Sequence, residues 1–533
     1  MKCIGILAAL CAAAAAVMAQ SNDVSNPEPS SPQPTLQAAE QAVPPSEIPL
    51  PLGVSTNASA GHAMTLSDCI QAALAHNFDV QIQRYNPQVS LYNLNAAYQG
   101  YDLTFDVGGN HSYNDQGGTI QNGVVSLPTT QSSDNFNSAI GGLLPWGLQY
   151  KFSGNITDGH GNAGGISNSL PFNTSSGSIG VNLTQPLLKN FWIDQTRLNI
   201  RVAKNRLKYS EQGLRQQLIN SVTAVANAYY ELIFAQENVE VQQTALTVSQ
   251  TQLDQDRQRL QIGTIAILSV QQDESQVAQN QANLIAALST LDTDQNILKN
   301  LLTDQYSKLH DQQIQPSETL VAPLRLFDLQ DSWNKGLSER PDLLQAKLNV
   351  EQQGIQLKYN KNQLFPELDL VGSYGWNGAG QEFSDTFSQF DQGNRPFYTY
   401  GATLSMPLGN IGPRNQYKAT KATLQQVMLQ LKQIEQNVLV EIDNAVKQAE
   451  SYYQSVQATK QARIYAEAAL EAEQKTYAVG KATTFEVLQY QNSLTAARSQ
   501  EIRALANYNE ALANLAAQEG TTLEQYSVDI VSK

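Results

Sequence analysis

The chain has 533 residues, only 15% of them charged, and a formal net charge of −15. That length allows several compact domains or one extended body. Long stretches rich in Gln, Asn, Ala and Leu without Pro or Gly favour long helices over a row of enzyme domains, and the acidic balance argues against nucleic acid, whose phosphates reward basic faces.

Residues 1–19 read as a secretory signal peptide, with Lys2, an apolar run from Ile4 to Val17, and small residues before a cut after Ala19. Leu10 stands where a lipoprotein needs a small residue before Cys11, so Cys3 and Cys11 are expected to leave with the peptide. Cys69 alone makes no intramolecular disulfide. Residues 20–61, with Pro27, Pro29, Pro32, Pro34, Pro44, Pro45, Pro49 and Pro51, read as a disordered tether. Beyond it no run of about 18 apolar residues appears, so a spanning helix is excluded and a membrane location requires a closed barrel.

From residue 62 the chain repeats itself. A shift of 263 pairs Leu66 with Leu329, Asp68 with Asp331, Leu74 with Leu337, Asp79 with Asp342 and Gly109 with Gly372. A later shift of 217 pairs Asn227 with Asn444, Gly263 with Gly480 and Val270 with Val487. We read this as an internal duplication, with repeats at 62–310 and 328–518, a connector at 311–327 and a C-terminal tail at 519–533.

Each repeat opens with a helix broken near Asn77 or at Arg340-Pro341, then gives an outgoing and a returning strand. The strands are expected at about 103–114 and 177–185, then at about 367–377 and 396–406. Phe105 and Val107, Leu368, Leu370, Tyr374 and Trp376, and Tyr398 and Tyr400 alternate with small or polar residues. Period two with one apolar face suits a barrel wall, and these eight are the candidate lipid-facing residues. Four strands cannot close a barrel, so oligomerisation is implied. The Gly-, Asn- and Ser-rich insert at 115–175 is expected to be an extracellular loop extension, with extra barrel strands as the alternative.

Coiled-coil helices are expected at 190–308. Leu218, Val225, Leu232, Val239, Leu246, Leu253 and Leu260 recur every seventh position, and the second repeat runs Leu424, Met428, Leu431, Ile434, Val438 and Ile442 at threes and fours. Gly263 and Gly480 stand where the long helices must reverse.

The stretches MTLSDCIQAALAHN, LTQPLLKN, RLQIGTIAILSVQ, RPDLLQAKLNVEQQ, LFPELDLVGSYG, LSMPLGN and YAVGKATTFEVLQ, in this order over roughly residues 62–518, resemble the TolC family of outer-membrane factors. The resemblance implies a mixed, mainly α fold: a homotrimer sharing a twelve-stranded transmembrane β-barrel, continuous with a periplasmic coiled-coil barrel. It further implies an outer-membrane exit duct for efflux or type I secretion, a periplasmic adaptor meeting the tips at Gly263 and Gly480, and an inner-membrane pump supplying energy. Family members close the periplasmic end partly with acidic side chains after the second glycine. Glu486 occupies the first such position, Gln489 replaces the second, and Ser269 stands at the matching place in the first repeat.

No catalytic, cofactor or metal site is expected. His62, His76, His111, His160 and His310 lack metal spacing, and helix acids are expected mainly at solvated positions. GKATT at 480–484 resembles a phosphate loop, but Lys475 holds the required upstream glycine position. The rival to a duct is a secreted coiled-coil adhesin or envelope spacer, which the paired amphipathic strands do not suit.

Overall fold

The protein is described by a computed structural model covering residues 62–121, 124–163 and 170–528. The signal peptide and Pro-rich tether lie outside the described residues, as does the chain beyond residue 528.

Strand β1 (His62–Met64) enters α1 (Leu66–His76), whose start is fixed by a reciprocal capping box between Thr65 and Asp68. Asn77 ends α1 in an extended conformation and caps α2 (Phe78–Ala97), its Oδ1 accepting from the Asp79 and Val80 amides at 2.9 and 3.3 Å. After a 3-10 turn come β2 (Thr104–Gln116), the short antiparallel pair β3 (Thr119–Gln121) and β4 (Val124–Ser126), and three long strands, β5 (Thr129–Leu143), β6 (Gln149–Ala163) and β7 (Leu170–Pro186). Helix α3 (Gln195–Gln261) and α4 (Ile267–Leu302) follow, then α5 (Tyr306–Leu309) and β8 (Ile314–Pro316), which pairs in parallel with β1.

The second half comprises α6 (Leu329–Glu339), α7 (Pro341–Asn362), β9 (Glu367–Gly380), α8 (Phe383–Gln392), β10 (Pro396–Ser405), α9 (Ile411–Ala478) and α10 (Thr484–Glu519). Element lengths match across the halves: α1 and α6 have 11 residues each, α3 and α9 have 67 and 68, and α4 and α10 have 36 each. Arg340 breaks its helix pair as Asn77 does, and Pro341 occupies the first turn of α7, where its missing N–H costs nothing. Beyond Gly520 the chain continues into α11 (Thr522–Gln525), with Thr522 and Leu523 buried.

At about 1.5 Å per residue α3 runs roughly 100 Å. Its heptad residues Leu218, Val225, Leu232, Leu246 and Leu253 are buried, as are Val438 and Ile442 of α9. The main core gathers around Tyr229, Ile219, Leu298 and Ile70, where α3 meets α1 and α4 and the connector strand β8. Cys69 lies fully buried there, and burial pushes its thiol up to about 12, so it packs as a small apolar group.

The long strands form one antiparallel sheet in the order β10-β9-β7-β6-β5-β2. This corrects the reading of the insert as a loop extension. Strands β5 and β6 lie wholly within 115–175 and the start of β7 extends into it, so the four strands expected per chain are six. Polar and glycine-rich composition masked them, because only every second residue of such a strand needs to be apolar.

Candidate membrane face and hairpin tips

Residues opposite one another on paired strands point to the same side of a sheet. One row therefore crosses all six strands as Phe105, Ile140, Phe152, Val181, Tyr374 and Tyr398. The next residue along each strand faces the other way, as the row Thr104, Gly141, Lys151, Asn182, Ser373 and Thr399. All eight candidate lipid-facing residues lie on the apolar side. On the opposite side hydrogen bonds join polar chains across strands, Ser178 to Asn155 at 2.6 Å and Ser373 to Thr399 at 2.7 Å.

The apolar side is bounded. On β9 it extends from Leu368 to Gly378, about ten residues, which is roughly 34 Å along a strand. Tilted about 40°, that projects to roughly 26 Å, the height of a lipid-facing band. Past its distal limit the same side carries His111, Asp134 and Asp158, with His111 Nδ1 2.7 Å from Asp134 Oδ1. Helix α8 packs at that limit. The Phe383 ring meets Phe136 edge-on at 6.1 Å, and the buried Thr386 hydroxyl donates to Ser175 Oγ at 2.8 Å.

At the other end of the long helices, Gly263 and Gly480 have φ of 75° and 74°. Both close their helices identically. The amide of Thr264 donates to the Arg259 carbonyl at 2.9 Å and that of Lys481 to the Thr476 carbonyl at 3.1 Å, the six-residue closure that a left-handed glycine permits. Ile262, Ile267, Leu268, Val479 and Phe485 stand exposed around the two turns.

Glu486 is exposed and its carboxylate is occupied locally: it accepts from the Thr483 amide at 2.7 Å and the Thr483 hydroxyl at 2.9 Å. Those donors hold its carboxyl below the usual range. Gln489 lines a groove between α4 and α10, beside Gln276 and Asn492, whose amides bond reciprocally at 2.9 Å.

Just inside the tips lies a buried acid pair. Asp256 of α3 and Asp273 of α4 are 0% and 1% exposed, two exceptions to the expectation that helix acids fall mainly at solvated positions. Asp256 is the acid that the donors surround: Tyr477 of α9 donates to it at 2.8 Å, Thr484 of α10 at 3.2 Å, Gln252 at 3.2 Å and Arg259 at 3.2 Å. The Arg259 guanidinium also stacks 4.8 Å from the Tyr477 ring centre. Neither oxygen of Asp273 finds a donor, and burial together with the Asp256 charge raises its carboxyl to about 7. A proton retained on Asp273 resolves the conflict. One carboxylate thus ties both helical hairpins together.

The sequence profile described as outer membrane efflux protein matches residues 148–303 and 333–521. The chain belongs to that family. The chain is 26% identical over 402 residues to the outer membrane protein TolC of Escherichia coli K12, covering 74% of this chain and 78% of that protein. Its fold superposes on the crystal structure of CusC with a TM-score of 0.64 at 15% identity, over 86% of this chain and 93% of that one. For VceC of Vibrio cholerae the TM-score is 0.62 at 18% identity, over 85% and 96%.

As an outer membrane efflux protein the chain is the outer-membrane channel of a tripartite system, and the spacer reading falls. Among the described residues no helix is long and apolar enough to cross a membrane, which leaves the sheet as the element whose faces suit one. Sequence reasoning missed Asp256, Asp273, Tyr477 and the aromatic face of α8. Phe383, Phe387 and Phe390 carried a helical signal in their spacing of four and three. Its neighbours Gln252 and Arg259 alone do not mark Asp256 as buried, because the partners that bury it from the other hairpin, Tyr477 and Thr484, are more than 200 residues away.

Proposed function

We propose that three copies assemble side by side, closing their sheets into one transmembrane barrel and their helices into a periplasmic tube through which an inner-membrane pump drives its cargo. The observation that carries this reading is an unpartnered stripe. Phe78, Ile82, Tyr85, Val89 and Tyr92 of α2, spaced by four, three, four and three, are 53% to 67% exposed. That is a coiled-coil seam awaiting another helix, and β2 and β10 are sheet edges awaiting another strand. The repeated element order, read as a duplication, makes the tube wall quasi-regular.

In this arrangement the exposed apolar residues around Gly263 and Gly480 meet the adaptor. The chain itself acts as a passive conduit and does no covalent chemistry. Three copies of Glu486 near the axis form a ring that favours cations, with the capping box fixing each carboxylate. Native mass spectrometry of the detergent-extracted protein is expected to give a three-chain mass, and a single-chain mass in every detergent would overturn the assembly. Glu486→Ala is expected to weaken block of the channel current by divalent cations. Unchanged block would remove Glu486 from the aperture.

A further inference from the structure

Resting on that three-copy reading, we propose that each chain contributes six strands, so that the barrel has eighteen strands in place of the family's twelve, with β10 of one copy paired antiparallel to β2 of the next. The first argument is the row pattern. Strands β5 and β6 place Phe136, Ile140, Phe152 and Ile156 on the same side as Phe105 and Tyr374, and Asn137, Asn155 and Thr157 on the polar side. A hairpin standing in water would have no reason to keep this two-sidedness in phase with its neighbours. Removing it from the wall would require β2 and β7 to abandon full-length ladders and pair with each other.

The second argument is the graded exposure along the sheet. Apolar side chains on interior strands are half covered by neighbours on both sides: Ile140 is 41% exposed, Phe152 48% and Tyr374 47%. On the two edge strands Phe105 and Val107 reach 70% and 75%, and Tyr398 and Tyr400 reach 73% and 83%. The missing cover lies at β2 and β10, and nowhere within the β5–β6 region. Because successive strands alternate in direction and six is even, β10 runs opposite to β2, so the two edges of neighbouring copies meet antiparallel without any rearrangement. Lipid offers no hydrogen bonds to an open edge, which makes this closure obligatory.

Barrel circumference scales with strand number. At about 4.8 Å between strands and about 40° tilt, eighteen strands give a backbone diameter of roughly 36 Å where twelve give roughly 24 Å. The exit through the membrane is then half as wide again, and the constriction on cargo moves to the hairpin tips.

Single-particle electron cryomicroscopy of the full-length protein in nanodiscs counts the strands directly. Eighteen strands around a three-fold axis are expected. A three-fold particle with twelve strands and residues 129–163 outside the wall would overturn this proposal while leaving the three-copy assembly intact, and a particle without three-fold symmetry would overturn both. A second measurement reads the hairpin alone. Phe152→Cys labelled with bimane should be quenched by brominated lipids as strongly as Tyr374→Cys, Cys69 being buried and unreactive. Quenching at Tyr374→Cys with none at Phe152→Cys would place the hairpin outside the bilayer and sink the eighteen-strand wall.

Discussion

Raising the pH from 5 to 8 should loosen the hairpin tips, and Asp273→Asn should abolish that response. In the closed tip Asp273 is held neutral at pH values up to about 7, between the Asp256 carboxylate and apolar surroundings. Once the tip opens, water restores an ordinary carboxyl, near 4. The folded value is raised, so the open state binds fewer protons than the closed state in the window between. Closure is at full strength below about 4, weakens as pH rises, and levels off above about 7. Over pH 5 to 8 the linkage amounts to about 2–3 kcal/mol, roughly 30- to 150-fold in the opening equilibrium. Tyr477, which faces the pair and is raised by burial, stays neutral and does not compensate.

Hydrogen exchange read by mass spectrometry resolves this locally. Peptides spanning 250–280 and 470–490 should gain exchange between pH 5 and 8 beyond the intrinsic rate, with the middle of α4 as internal reference. Asn at position 273 keeps the shape, donates its amide to Asp256 and cannot ionise, so its tip should exchange with no excess pH dependence. The same slope in wild type and Asp273→Asn would show that the titrating proton sits elsewhere, and the assignment of roles within the acid pair would fail.

Three further outcomes follow from the same geometry. Tyr477→Phe deletes a hydroxyl that donates to ionised Asp256, at a cost of about 1.5–3 kcal/mol in tip closure, and planar-bilayer recordings should show a larger open fraction. Gly480→Val meets no atom within 4 Å, so its whole penalty is the left-handed backbone, about 1–2 kcal/mol, visible as faster exchange confined to the second tip with the global melting temperature unchanged. Leu298→Ala empties a fully buried position in the main core and should destabilise by about 2–5 kcal/mol, read as a lower midpoint of thermal unfolding with the tips unaffected.

The helical half of the molecule was legible because its physics is periodic and local. Asn77 and Arg340-Pro341 announced their breaks through capping chemistry, the heptads from Leu218 onward announced their seam, and the two glycines announced their reversals. Each of these signals is contained within a few turns of chain. The sheet was half legible: β2, β9 and β10 carry aromatic or aliphatic residues along one alternating face, interrupted at Gly109, Gly372 and Ala402, whereas β5 and β6 are rich in Gly, Asn, Ser and Thr and show their face only once paired. Strand β5 has just Phe136 and Ile140 to mark its apolar side at mid-length, too few for a periodicity to stand out from a polar loop.

The acid pair was illegible for a different reason, and that reason bears on how the tip works. A buried aspartate is tolerable only when donors surround it, and the donors to Asp256 come from three helices, α3, α9 and α10. The full donor set of Asp256 therefore exists only while both hairpins are docked. Separating them exposes Asp256, Asp273, Tyr477 and Thr484 to water together, so no group is left buried and unpaired in the open state. The closed state instead carries the tension, an acid kept neutral against its ordinary ionisation. Such an arrangement makes opening favourable to complete once begun, whereas a purely apolar seam would resist wetting throughout. Asp273→Leu should accordingly close the tips more tightly and erase their pH response, while Asp256→Leu strands Tyr477 and Arg259 and should open them. If both variants shifted the exchange of the 470–490 peptides in the same direction, the tie between the hairpins would rest on their apolar contacts and not on the carboxylate.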